Sequence, residues 1–309
     1  MWIPGTATKA LREARASLAK LNVAAELVKD LEIPKNSTVV EINSGYGFFT
    51  YALLQCPNVK RVIAVENNKD ALIDLQKLKY ESDSRLQILE VKKVLDYNNW
   101  ISDVQVESHP WEEVHPSLFS IVHVPNKWHG IHMLGQYLKD FHQRSGIQSF
   151  GRVRMNLITP SFAAEKLSAS VGDSKRSKLS FMREAVSELE ILRLIPEDAF
   201  QPKGIHVLYN MTPKVESKIS KEVPLETFEY VLSHMVLKKN ASIRDMLYKL
   251  GAGAENININ LTFDSRIAVI DATVDQLVEL TYHFEKWPFR PPDFDMNSID
   301  PDFRHRKRA

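Results

Sequence analysis

Two periods of apolar residues alternate along the first two thirds of this chain. Runs rich in β-branched residues at 38–43, 61–66 and 86–91 read as buried strands, and the spacing between them predicts helices from about Gly47 and from Lys69 to about Tyr80. The pattern resumes with a strand at 118–124, a helix from about Ile131 to His142 and a strand at 153–159. Segments 188–195 and 205–211 read as the last strands, the first preceded by a helix over 178–186. Strands separated by helices imply a parallel sheet with helices on both faces. Between 96 and 115 a polar stretch holding Trp100 and Trp111 has no clear period and reads as an insertion.

Beyond Pro213 the pattern changes. A charged linker over 214–223 gives way to helical spacing at Phe228, Val231, Leu232 and Met235, then over 243–250 and 274–284. The expected organisation is an α/β domain at 1–214, a small helical domain at 215–290 and a flexible tail at 291–309, rich in proline, aspartate and phenylalanine. At the other end, Lys9, Arg12, Arg15 and Lys20 project to one side of a helix whose other side carries Leu11, Ala14, Leu18 and Leu21. That reads either as the first helix of the fold or as an import signal, and an uncleaved segment can be both.

Charge and cysteine content narrow the chemistry. With 40 basic and 39 acidic side chains, bulk charge cannot drive nucleic-acid binding, so any such contact falls to local patches. Two candidates are Lys175, Arg176 and Lys178, and the closing Arg304, Arg306, Lys307 and Arg308; a solvated face or a frayed tail is the usual alternative for either. The single cysteine, Cys56, excludes a disulfide framework and a cysteine-based zinc site within one chain. No run approaches the roughly 18 apolar residues of a spanning helix, so no membrane insertion is expected.

The chemistry-bearing stretch is Glu41-Ile42-Asn43-Ser44-Gly45-Tyr46-Gly47, a strand running into a turn and a helix. Gly45 and Gly47 allow a ligand to approach the backbone without a Cβ in the way, and Asn43, in the place of a first glycine, tolerates a left-handed conformation. Glu66 ends the next strand, 21 residues past Gly45, where an acid can accept from both hydroxyls of a ribose. Glu41 would repel a pyrophosphate and suits a ligand with a cationic or amine end, so S-adenosylmethionine fits better than a dinucleotide. The alternatives are a vestigial turn that serves only the fold and a small-molecule methyltransferase.

These residues, with Phe150-Gly151-Arg152-Val153-Arg154-Met155, the block from Ala163 through Ser180 and the continuation Ala199-Phe200-Gln201-Pro202-Lys203, resemble the rRNA adenine dimethyltransferase family over most of residues 10 to 215. The closing Glu285-Lys286-Trp287-Pro288-Phe289-Arg290-Pro291 is similar to its fungal mitochondrial transcription factor B branch. The resemblance implies a Rossmann-like class I methyltransferase sheet followed by a small C-terminal helical domain. It also implies an Asn-Leu-Pro-aromatic tetrapeptide that positions and stacks the target adenine. Here His123, Val124, Pro125 and Asn126 stand in its place, a degenerate motif from which efficient adenine dimethylation is not expected. Losing a base-stacking ring alone forgoes roughly 1–3 kcal/mol. Trp128 is a substitute ring if the alignment shifts, and a neutral His123 offers one acceptor.

Cofactor contacts carried over are Glu41, Asn43, Gly45, Gly47, Glu66 and His123, with Asp96 as nearest candidate for the adenine and Lys92 and Lys93 crowding that region. His123 also has a plain reading as a satisfied strand-end histidine, and Trp287-Pro288-Phe289 as the seal of the helical core. The function implied is non-catalytic: a monomeric, sigma-like initiation factor in the mitochondrial matrix that helps the single-subunit mitochondrial RNA polymerase open promoter DNA and holds unpaired strands, with S-adenosylmethionine binding vestigial. An rRNA adenine N6-dimethyltransferase is the runner-up. The basic carboxyl terminus also reads as a nuclear import patch, which would give a second location.

Overall fold

The computed structural model describes residues 15–81 and 84–291. The described residues of Met1–Glu165 and Ser187–Val215 form one compact unit, and those of Lys166–Val186 and Glu216–Ala309 form a second. Segment 166–186, which a boundary at 214 would leave in the α/β domain, therefore groups with the helical residues. Arg176 accounts for this physically, since it donates to the carbonyls of Ile270 and Ala272 at 3.0 and 2.6 Å.

The first unit is built on a sheet of seven strands: β2 (Ser37–Ile42), β3 (Val59–Glu66), β4 (Leu86–Glu90), β5 (Val114–His123), β6 (Arg152–Pro160), β7 (Ser187–Ile195) and β9 (His206–Pro213). Their order is β4-β3-β2-β5-β6-β9-β7. The first five run parallel, whereas β9 is antiparallel to both β6 and β7. Helices α1 (Leu21–Asp30), α2 (Phe48–Gln55), α3 (Lys69–Glu81) and α4 (Lys127–Gln143) connect or flank the parallel strands. This is the expected Rossmann-like sheet. Central β2 is buried at all six positions, as a parallel strand covered on both faces requires, and Val40 lies opposite Ile63 and Ser120.

Two expectations change. The basic amphipathic segment is not helical where it is described: Ser17–Leu18 is a short strand, β1, paired antiparallel with β8 (Phe200–Gln201), and Lys20 is extended. Leu18 is buried, and the helix starts only at Leu21, with Ala24, Leu27 and Val28 facing the core. Pairing with β8 gives the backbone before α1 the hydrogen bonds that a helix would otherwise have made internally, Ala19 N–H reaching Ala199 O at 2.8 Å. Lys9, Leu11, Arg12 and Ala14 lie outside the described residues. The polar stretch 96–115 also packs. Trp100 is 1% exposed and its indole N–H donates to Val94 O at 3.1 Å, while Trp111 donates to Val215 O at 2.9 Å.

In the second unit α5 (Ser161–Ser168) ends and α6 (Lys178–Val186), α7 (Leu225–Met235), α8 (Ile243–Met246) and α9 (Val274–Glu285) follow. A capping box between Thr273 and Gln276 starts α9. The aromatic seal is partial: the Trp287 ring lies 6.2 Å from Phe284 and close to Gly251, whereas Phe289 is 78% exposed. Among the described residues no helix is long and apolar enough to cross a membrane.

Candidate functional site: a filled nucleotide pocket and an aromatic rim

The turn after β2 has the backbone its sequence predicts. Asn43, Gly45 and Gly47 have φ of 61, 62 and 80°, and Gly47 caps α2. Asn43 secures its left-handed turn twice, its N–H donating to Val65 O at 2.9 Å and its side-chain amide to His123 O at 2.9 Å. The turn is thereby tied to the carboxyl ends of both neighbouring strands.

Glu41 lies beneath it, fully buried. One carboxylate oxygen accepts from Thr50 Oγ1 at 2.6 Å and the other meets His123 Nε2 at 2.9 Å. The Phe49 ring stands edge-on to the imidazole at 5.5 Å and fixes its plane. Glu41 is thus answered from within the protein. His123, at the end of β5, is 8% exposed.

Glu66 is partnered in the same way. Its Oε1 accepts from the backbone N–H groups of Asn67 and Asn68, both at 2.8 Å, and Oε2 accepts from Gly45 N–H at 2.7 Å and from the Arg15 guanidinium. Arg15 is 4% exposed and Glu66 fully buried. Around these groups Ser17, Asn43, Tyr46 and His123 leave a cavity of about 10 Å³, room for about one water. A nucleoside does not fit in it. Asp96 is engaged elsewhere, accepting from Asn99 at 2.6 Å, and Lys92 and Lys93 are exposed.

Just outside this pocket the surface differs. Pro125 and Asn126 are half-buried, and α4 opens with exposed Lys127, Trp128 and His129, Lys127 at a left-handed φ of 53°. Phe162 opens α5 at the carboxyl end of the adjacent parallel strand β6. The two rings meet edge to face at 5.4 Å, with Trp128 48% and Phe162 41% exposed. Phe162 carries no sequence signal by itself; it becomes visible only when β5 and β6 are set side by side.

His206, also unremarked in the sequence, stacks on Phe200 at 3.7 Å and its ring Nδ1 meets Gly204 O at 2.8 Å. Burial pushes it down to about 4, the backbone bond opposes that shift and the nearby His123 adds to it.

In the second unit the basic run turns inward. Arg176 is 1% exposed; besides the two carbonyls it pairs with Glu184 at 2.8 Å and lies over the Phe181 ring at 4.0 Å. It cannot belong to a nucleic-acid track. Lys178 is half-buried and pairs with Glu229 at 3.1 Å, which leaves Lys175 as the exposed member. Arg304, Arg306, Lys307 and Arg308 lie outside the described residues. Among the described residues there is no cluster of three or more side chains suited to a metal.

The family model for ribosomal RNA adenine dimethylase matches residues 17–285. The chain belongs to this family. It is 26% identical over 312 residues to mitochondrial transcription factor 1 of Saccharomyces paradoxus, covering 89% of this chain and 87% of that protein. It is also 23% identical over 309 residues to the mitochondrial dimethyladenosine transferase 1 of Vermamoeba vermiformis, covering 89% and 90%. The solved dimethyladenosine transferase from Plasmodium falciparum superposes with a TM-score of 0.60 at 16% identity, over 87% of this chain and 97% of that one, and shares the fold. Members of one family thus carry both a transcription-factor name and an enzyme name, and the site's chemistry bears on the choice.

Proposed function

We propose that this protein is a mitochondrial transcription initiation factor that works without catalysis, assisting the single-subunit mitochondrial RNA polymerase to open promoter DNA. The observation that carries this reading is the closed His123–Glu41–Thr50 network at the end of β5. At that place a dimethyltransferase needs a side-chain amide to align an amine with a methyl donor; a histidine locked to a buried carboxylate offers no such group. The similarity to a yeast mitochondrial transcription factor over 89% of the chain supports the same choice and the mitochondrial location.

Opened DNA presents unstacked bases, and aromatic faces bind these with little regard to sequence, each base contributing roughly 1–3 kcal/mol. The Trp128–Phe162 rim, with Lys127 beside it, is the surface we assign to the unpaired strand. Lys175 and the basic carboxyl terminus are further candidates for phosphate contacts. The protein acts as a monomer.

A fluorescent adenine analogue placed in a promoter duplex tests the reading. Fluorescence should rise when the protein joins the polymerase, and no rise would refute it. Adenine dimethylation remains the second reading, because a relative of similar coverage bears that name. Incubation with labelled S-adenosylmethionine and a small-subunit rRNA hairpin separates the two: robust dimethyladenine formation would overturn the non-catalytic assignment.

A further inference from the structure

Glu66 has two oxygens and about four lone-pair directions, and every one is used. Three of its donors are backbone N–H groups, fixed by the turn after β2 and by the residues following β3. The fourth, Arg15, is a side chain from a remote segment. A ribose diol can reach this carboxylate only by taking the place of Arg15.

The cradle beneath Arg15 is nevertheless intact. Gly45 keeps its positive φ, and a Cβ built on it would point at Ser17 Oγ, 3.7 Å away, and at the Arg15 guanidinium, 4.0 Å away. Ser17 Oγ is buried and has no hydrogen-bond partner. An unanswered hydroxyl, a bare glycine and a buried carboxylate thus line one side of a cavity that has room for about one water. The segment is held down on its far side by the β1–β8 pairing and by the Lys20–Asp198 ion pair.

We propose that Arg15 is a built-in occupant of the ribose site: the guanidinium replaces a nucleoside's hydroxyls on Glu66, and the strap 15–20 excludes adenosine-type ligands, S-adenosylmethionine among them, until it is displaced. The residues as folded do not fit the family's cofactor, and the misfit is a plug laid over a preserved site rather than erosion of the site. The inference concerns the pocket alone, so its failure would leave the promoter-opening reading standing, and the reverse also holds.

Titration calorimetry on the full chain with S-adenosylhomocysteine tests it. The wild type should show no binding up to millimolar ligand, and Arg15→Ala should bind at least tenfold more tightly, the gain disappearing in Arg15→Ala/Glu66→Ala. Arg15→Gln, which keeps a neutral donor, serves the same titration if Arg15→Ala does not fold. A ligand-free readout is cleavage of the Arg15–Ala16 bond by trypsin, located by mass. Glu66→Ala should speed that cleavage at least tenfold, because the arginine then has no buried partner. Equal ligand affinity in the wild type and a folded Arg15 variant, or unchanged cleavage in Glu66→Ala, would overturn the proposal.

Discussion

The pocket under the β2 turn and the rim formed by Trp128 and Phe162 share the carboxyl end of the parallel strands, the rim residues opening the helices that follow β5 and β6. In the pocket each charged group is answered inside the protein: Glu41 by His123 and Thr50, Glu66 by Arg15 and three backbone amides. At the rim two large rings stay nearly half exposed. Buried charges are costly unless fully partnered, and here the protein supplies the partners itself. An exposed aromatic pair carries no such penalty, and it remains open to a base. On the proposed reading the pocket maintains the fold and the rim does the binding.

The sharpest way to break this division is to remove a pocket charge. Glu66→Ala would leave a buried guanidinium and three amides unanswered, and should cost about 3–5 kcal/mol in denaturant-induced unfolding. Affinity for single-stranded DNA, measured on the folded fraction, should not change. Arg176→Ala is the counterpart in the second unit, for a residue that looks like a surface contact in the sequence. It should cost about 3 kcal/mol in stability, without lowering the salt dependence of DNA binding, because Arg176 neutralises no phosphate.

Acid tests a buried group outside the pocket, His206. His206 stays neutral in the folded state down to about 4, whereas the unfolded chain takes up the proton near the ordinary histidine value, about 6.5. Below that value the unfolded state binds more protons, so stability is intact above pH ~6.5 and is lost as pH falls toward 4. The loss is on the order of 3 kcal/mol, and His206→Phe should flatten that slope in pH-dependent melting. The smallest effect falls on the rim. Trp128→Ala and Phe162→Ala should each weaken binding of an unpaired oligonucleotide by roughly 1–3 kcal/mol, read by fluorescence anisotropy, while unfolding stability changes by only about 0.5 kcal/mol. A rim variant that unfolds the protein but binds normally would reverse the comparison.

Much of the architecture is legible in the sequence because periodicity reports burial directly: Val39, Val40 and Ile42 mark a strand buried on both faces, and Asn43 announces its left-handed turn. What stays hidden depends on partners remote in the chain. Arg15 reads as the polar side of a helix, since nothing near it reveals an acid 51 residues on. Arg176 sits in a run that looks solvated, yet the carbonyls it serves lie 94 and 96 residues away. Arginine is the residue most prone to this misreading, because its charge suggests surface while its five donors suit it to buried carbonyls and carboxylates. Phe162 is hidden for a different reason: its role depends on two strands becoming neighbours.

We propose that this protein opens DNA without using the nucleotide pocket. The most direct test is promoter melting with the cognate polymerase, followed by a fluorescent adenine analogue, with S-adenosylmethionine alternately absent and present. Fluorescence should rise only when this protein is present, and to the same extent in both conditions. No rise, or one that appears only when S-adenosylmethionine is supplied, would contradict it.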